Sequence, residues 1–231
     1  MATHGHNKIT VLIADDHDVV REGVKALLGR AGGFSVIGEV ANGRDAVARA
    51  IAGRPDVVIM DVVMPELNGI EATAKLRAQA PGIKVVALSM HSDRRYVRRM
   101  FSAGAAGYVL KSCGVKHLVA AIRAVHAGNL YASPAVASVV VDDYARVLDG
   151  GHRAAGRGLT PREREVVQLI AEGKTTKQIA SVLAMSQKTA EVHRTNIMGK
   201  LKAGGVAGIV RYAIEEGIVA EPGSPGGQAG V

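Results

Sequence analysis

Between residues 9 and 127, short apolar runs alternate with longer stretches whose apolar positions recur at helical spacing. The runs are Ile9-Thr10-Val11-Leu12-Ile13-Ala14, residues 34–40, Val57-Val58-Ile59-Met60, Val85-Val86-Ala87-Leu88 and Gly107-Tyr108-Val109-Leu110. Such continuous runs are what parallel strands covered on both faces require. The first is followed by a predicted helix over 18–30, with Val20, Val24, Leu27 and Leu28 on one face. Asn42 caps the next, which runs to 52 and turns Ala46, Val47 and Ala50 inward. A third covers 68–80 and is stopped by Pro81-Gly82; a fourth starts at a Ser92 or Asp93 cap and ends at Ala103-Gly104. The fifth, 114–127, points Leu118, Ala121, Ile122 and Val125 inward and closes at Gly128. Strand and helix alternating five times predict a doubly wound α/β domain with a five-stranded parallel sheet.

The pattern then changes. Residues 134–148 predict a helix with Val136, Val139, Val140, Tyr144 and Val147, a stripe that can pack on the first domain or on a second copy. Residues 150–158 are glycine-rich and poor in large apolar side chains, as a flexible linker is. Four helix signals follow. Thr160-Pro161 with Glu163 is a capping box with proline at the first helical position, opening a helix that buries Val166, Leu169 and Ile170 and stops at Gly173. Thr175 with Gln178 is a second box, ahead of Ile179, Ala180 and Leu183. Ser186 caps a longer helix over 187–201; Gly204-Gly205 breaks it, and 206–217 is the fourth. The expected plan is an α/β domain at 8–128, a linker at 129–157 that is helical and then glycine-rich, an all-α four-helix domain at 158–219, and a low-complexity, disordered tail at 220–231.

Chemistry gathers at the C-terminal ends of the strands, where open α/β sheets bind ligands. Asp15 and Asp16 follow the first strand, Asp61 the third, Ser89 ends the fourth, and Lys111 follows the fifth. One aspartate after a strand would be a loop or capping residue. Three carboxylates at one sheet edge repel unless a cation joins them, and oxygen donors with a few waters suit Mg²⁺. The metal and Lys111 could neutralise a phosphoryl group on Asp61, with Ser89 bonding one of its oxygens. In the second domain, two short helices joined tightly form a helix-turn-helix arrangement. On the 187–201 helix Ala190, Ile197 and Leu201 share one face, with His193 beside them. Lys188, Val192, Thr195 and Gly199 lie opposite, flanked by Glu191 and Asn196. That face can enter a major groove or simply face water.

The set Asp15-Asp16, Asp61 with Met64-Pro65 and Asn68-Gly69 after it, Ser89, Tyr108 and Lys111 closely resembles the receiver domain of two-component response regulators. The resemblance implies a flavodoxin-like five-stranded parallel sheet and Mg²⁺-dependent phosphorylation of Asp61 by a sensor histidine kinase, with Mn²⁺ as the alternative ion. It implies a metal held by Asp15, Asp16, Asp61 and the backbone carbonyl of Val63. Ser89 would be the switch hydroxyl, Tyr108 the switch aromatic and Lys111 the phosphate-sensing lysine. Leu159-Thr160-Pro161-Arg162-Glu163, Gln178-Ile179-Ala180, Lys188-Thr189, Val192-His193 and Asn196-Ile197 resemble the LuxR-type helix-turn-helix. A receiver followed by this domain is similar to the NarL/FixJ class. That implies a cytoplasmic transcriptional regulator, not an enzyme, with double-stranded DNA half-sites, a second copy on activation and RNA polymerase as partners. The implied DNA contacts are Lys188, Thr189, Glu191, Val192, Thr195 and Asn196, with Thr176, Lys177, Arg194 and Lys200 around them. Ala190 is smaller than the valine expected there, and Glu191 replaces a lysine of many members; it can accept from cytosine N4 or face water. Val206, Ile209, Val210 and Ala213 recur at helical spacing, either as a dimer interface or as the end of a small core.

Composition changes this picture little. The formal net charge of +8 favours an anionic partner, but it is spread over both halves and supports nucleic acid only weakly. The one cysteine, Cys113, has no intrachain partner, which fits a reducing cytosol. No apolar run is long enough to span a bilayer, and the first eight residues lack a signal-peptide core. His4 and His6 are metal donors or part of a polar tail. Arg94, Arg95, Arg98 and Arg99 on the fourth helix form either a solvated face or a dock for something acidic, such as the kinase or another domain. His91 either tunes chemistry at Ser89 or lies on a surface loop. A phosphate sink would need no DNA-binding domain. A phosphohydrolase would need a second carboxylate just after Asp61, where Val62 and Val63 stand.

Overall fold

The computed structural model describes residues 8–148 and 158–220. The sequence runs β1 (Ile9–Ala14), α1 (Asp18–Ala31), β2 (Phe34–Val40), α2 (Gly43–Gly53), β3 (Val57–Met60), α3 (Gly69–Gln79), β4 (Lys84–Ser89), α4 (Arg94–Ala103), β5 (Gly107–Leu110) and α5 (Val115–His126). A short strand β6 (Tyr131–Ala132) and α6 (Pro134–Leu148) follow, and then α7 (Pro161–Ala171), α8 (Thr176–Val182), α9 (Gln187–Leu201) and α10 (Val206–Glu215). The strands pair in parallel in the order β2-β1-β3-β4-β5-β6. The expected five-stranded sheet therefore has six strands. Tyr131 and Ala132 add to β5 opposite Gly107 and Tyr108, a pairing of two residues too short to leave an apolar run in the sequence.

Side-chain alternation along each strand builds two cores. Val11, Ile13, Val57, Ile59, Val86, Leu88 and Val109 point to one face, against Val24 and Leu28 of α1 and Leu118, Ile122 and Val125 of α5. Leu12, Ala14, Val58, Met60, Val85, Ala87 and Tyr108 point to the other, against α2, α3 and α4. Val136 of α6 is fully buried in that second core and Val139 packs on it, so this end of the helix belongs to the first domain. Tyr144 and Val147 of the same stripe have side chains outside the described residues, as do His4 and His6, the glycine-rich 149–157 segment and the 221–231 tail.

A third core joins α7 to α10 through Val166, Leu169, Ile179, Ala190, Ile197 and Leu201. Both capping boxes are formed: Thr160 with Glu163, and Thr175 with Gln178. Ile209 and Ala213 are fully buried in this core. They are therefore not free to form a dimer interface and take the other role open to them, the end of the core. Only Val206, 44% exposed, and the half-buried Val210 remain on the surface of α10.

Candidate functional site

Strand order reverses between β1 and β3, so a crevice opens at their C-terminal ends, and the acidic residues lie there. Asp61 is buried, and its backbone N–H donates to Ala14 O of β1 at 2.8 Å. One carboxylate oxygen accepts from Val62 N at 2.6 Å; the other takes Lys111 Nζ at 2.6 Å. Lys111 Nζ is also 2.7 Å from Asp15 Oδ2. Burial pushes the Asp61 carboxyl up, Lys111 pulls it back and Asp15 adds to the rise, leaving it at about 7. Asp15, Asp16, His17 and Asp61 each bring a ligand atom within 4.8 Å of the others. Asp15 Oδ2 and Asp16 Oδ1 are buried without a well-formed hydrogen bond. Their near neighbours are the cationic Lys111 and, for Asp16, His17 Nδ1 at 2.8 Å. Buried carboxylate oxygens left in that state fit a hard cation. His17 was not foreseen; its place directly after the acidic pair was the available signal. Val63, expected to offer its carbonyl, lies two residues beyond Asp61 in the turn toward α3.

That turn is tightly built. Gly69 N donates to Val62 O at 2.9 Å, and a Cβ on Gly69 would stand 1.8 Å from Asp61 O, so no other residue fits. Asn68 caps α3 by accepting from Glu71 N. Glu66 holds a left-handed φ of 64°, a conformation that strains a non-glycine residue. On the β4–β5 side, Ser89 is fully buried and its Oγ accepts from His91 N at 3.1 Å. Tyr108 already points inward, its hydroxyl donating to His91 O at 2.7 Å. The His91 ring stacks on Tyr96 of α4 at 4.5 Å, so His91 is not a plain surface histidine.

The family profile of the response regulator receiver domain matches residues 11–123, and that of the luxR family of bacterial regulatory proteins matches residues 157–213. The chain is 38% identical over 216 residues to the transcriptional regulatory protein MctR of Rhizobium johnstonii, with 94% of this chain and 98% of that one aligned. The chain is a two-component response regulator of the NarL/FixJ class. Among solved structures it is similar to a LuxR-family response regulator from an Aurantimonas species, at 34% identity and TM-score 0.57 over 60% of this chain and 99% of that one. It is also similar to the regulator RcsB in complex with DNA, at 25% identity and TM-score 0.56 over 89% and 98%.

The receiver and the DNA-binding domain of this regulator are docked. Glu165 of α7 takes Lys75 Nζ at 2.7 Å and Arg44 Nη2 at 3.0 Å from the receiver. Arg164 Nε is 2.6 Å from Glu71 Oε1. Gln168 and Glu172 reach the turn after Asp61. At the far end of α10, Arg95 Nη1 donates to Glu215 O at 2.7 Å and Arg99 donates to Glu216 O. Gly217, at φ 63°, lies where any Cβ would meet the Tyr96 ring at 2.7 Å. Two of the four α4 arginines thus dock another domain, and they do so through helix-end carbonyls rather than carboxylates. Among the described residues, no helix is long and apolar enough to cross a membrane.

The docked receiver leaves the expected reading face open. Lys188, Thr189, Glu191, Val192, Thr195 and Asn196 are all exposed on α9, as is Lys177 on α8. Arg194 instead turns toward α8, 3.3 Å from Thr176 Oγ1. Lys200 Nζ is tied to Glu163 Oε2 at 2.8 Å, which braces the capping box of α7. Of the ten expected contacts, Arg194, Thr176 and Lys200 are thus engaged with other helices, and the Thr189 and Thr195 hydroxyls bond locally to Ser186 Oγ and Glu191 O.

Proposed function

We propose that this regulator binds DNA as a dimer under the control of phosphorylation at Asp61. The observation that carries the reading is the Asp61 carboxylate at the switch point of the sheet, with Lys111 on one oxygen and the acidic pair opposite. Its carboxylate attacks the phosphorus of a kinase phosphohistidine. The P–O bond forms as the P–N bond breaks, and the ring, protonated on its other nitrogen, leaves with the electron pair as neutral imidazole. Asp15, Asp16 and Asp61, with the Val63 carbonyl, would hold Mg²⁺, or Mn²⁺ in its place; the bound ion supplies charge neutralisation for the incoming phosphoryl oxygens. Lys111, already seated between Asp15 and Asp61, follows the new charge. Ser89 must give up His91 N to reach a phosphoryl oxygen, and His91 is the residue that holds Tyr108 and stacks on Tyr96. The change therefore passes to α4, whose Arg95 and Arg99 hold the end of α10.

Because the reading face is open in the docked form, phosphorylation acts by freeing the domain to pair on two half-sites rather than by uncovering α9. The sensor histidine kinase, promoter DNA and RNA polymerase are the partners of this reading, and the cytoplasm is its place. The test is labelling by acetyl phosphate with Mg²⁺, followed by gel shift on genomic fragments. Wild type should form an alkali-labile acyl phosphate and shift DNA cooperatively, and Asp61→Asn should do neither. Undiminished labelling of Asp61→Asn would refute the assignment.

A further inference from the structure

Three backbone groups of the five-residue turn Met64–Asn68 are held by two side chains from the other domain. Gln168 Nε2 donates to Met64 O at 2.9 Å, and Gln168 Oε1 accepts from Asn68 N at 2.9 Å and from Asn68 Nδ2 at 3.1 Å. Glu172 Oε1 accepts from Glu66 N at 3.0 Å and from the second Gln168 amide proton at 2.8 Å. A backbone N–H and a backbone carbonyl fix which end of the amide is oxygen, so its orientation is settled by the partners. Gln168 is 1% exposed, and both its donors and its acceptor are satisfied. The turn it grips carries the strained Glu66 and begins one residue after Val63.

We propose that Gln168, from the DNA-binding domain, is a positioning residue for the phosphoacceptor turn: its amide holds residues 64–68 in the docked conformation and thereby opposes loading of Asp61. The inference rests on Asp61 being the acceptor. Binding free energies at two coupled sites are reciprocal. If loading the acceptor site releases the domain, the docked domain must weaken loading by the same factor. Gln168 is the main physical link, because it holds two of the three backbone groups of the turn and also bonds Glu172, which holds the third, whereas Glu165 holds α2 and α3 and Arg95 and Arg99 belong to α4.

The test uses the full chain and beryllofluoride with Mg²⁺, a phosphoryl mimic, titrated by calorimetry. Hydrogen exchange of residues 64–68 is followed in parallel. Gln168→Met keeps the length and the packing and removes only the amide. It should tighten mimic binding by roughly tenfold, a typical coupling factor, and speed exchange in the turn. Glu165→Gln should also tighten binding in the wild-type background, by loosening the dock, yet add nothing in the Gln168→Met background. That lack of additivity separates a grip on the turn from a general loosening, and unchanged thermal unfolding of the α7–α10 domain separates it from misfolding. Wild-type affinity in Gln168→Met, or equal effects of Glu165→Gln in both backgrounds, would overturn the proposal while leaving phosphorylation-dependent DNA binding intact. Wild-type protein that binds no mimic would overturn both.

Discussion

Glu165→Gln perturbs the dock at its most charged point. The carboxylate is 4% exposed, and its receiver partners Arg44 and Lys75 are 23% and 31% exposed. A charge-assisted hydrogen bond contributes about 1.5–3 kcal/mol when its partner is left stranded. Here the freed cations turn to water and the glutamine oxygen still accepts one bond, so the net loss is about 1.5 kcal/mol, or roughly tenfold in the docking constant. Within its own helix Glu165 has only the Arg162 pair at 3.1 Å, a contact at helical i,i+3 spacing that contributes about 0.3–0.5 kcal/mol, so the fold of the domain is spared. Small-angle scattering and hydrogen exchange at α2 and α3 read the docked fraction in the full chain. A cycle with Lys75→Met should show a coupling of about 1 kcal/mol. The pH dependence gives a second check. Burial alone would raise the Glu165 carboxyl, but Lys75 and Arg44 outweigh it and hold it below its ordinary 4.5. Its contribution to docking is therefore fully present above pH 4.5 and is lost as pH falls through the lowered docked value. The difference between wild type and Glu165→Gln should disappear over that range. Additive effects with Lys75→Met, or a difference that persists at acid pH, would refute the electrostatic account of the dock.

Glu172 should act in the opposite sense: burial, reinforced by Glu66, raises its carboxyl, and its bonds to Gln168 and Glu66 N offset this only in part. Docking then takes up a proton at Glu172, so the docked fraction should rise as pH falls from neutral through that raised value, and Glu172→Gln should abolish the rise in scattering titrations. Lys188→Ala should weaken specific DNA binding by about 1–3 kcal/mol in salt-controlled gel shifts if the exposed ammonium reads a guanine; a loss equal on all sequences would reduce it to a phosphate contact. Val210→Asp should lower cooperative DNA binding without changing the melting of the domain, and unchanged cooperativity would remove α10 from the dimer interface.

The two domains and the acidic pocket were legible because each leaves a local signature. Apolar runs marked the strands, and capping boxes marked α7 and α8. The acidic pair, Asp61 and Lys111 all follow strands, where topology alone gathers them. The dock was not legible, for a physical reason. Glu165, Gln168 and Glu172 read as the polar face of a helix whose apolar side is Val166, Leu169 and Ile170, and Asn68 reads as the first residue of the third helix. Asn68 is instead the cap of α3, and it also serves the interface through Nδ2, with bonds to Gln168 and to Ile218 O at 3.3 Å. The spacing of Glu165, Gln168 and Glu172 places them along one side of α7, and that stripe was the signal available. A polar stripe has no meaning until its partners are known, and those partners lie about a hundred residues earlier in the chain.

The dock also decides how the signal can travel. Had the receiver covered α9, release alone would switch DNA binding on, and the isolated domain would outbind the full chain. Instead α9 faces away while α7 and the end of α10 are held. In the dimeric binding we propose, affinity comes from pairing two domains at a fixed half-site spacing. Gln168 ties one domain to the turn beside Asp61, and Arg95 and Arg99 tie α10 to the helix beside Ser89 and Tyr108. Both tethers end on receiver elements next to the acidic pocket. Their loss would change not whether α9 can reach DNA but whether two copies can bring α9 and α10 into register, and cooperativity, rather than the affinity of one copy, is where phosphorylation should be read.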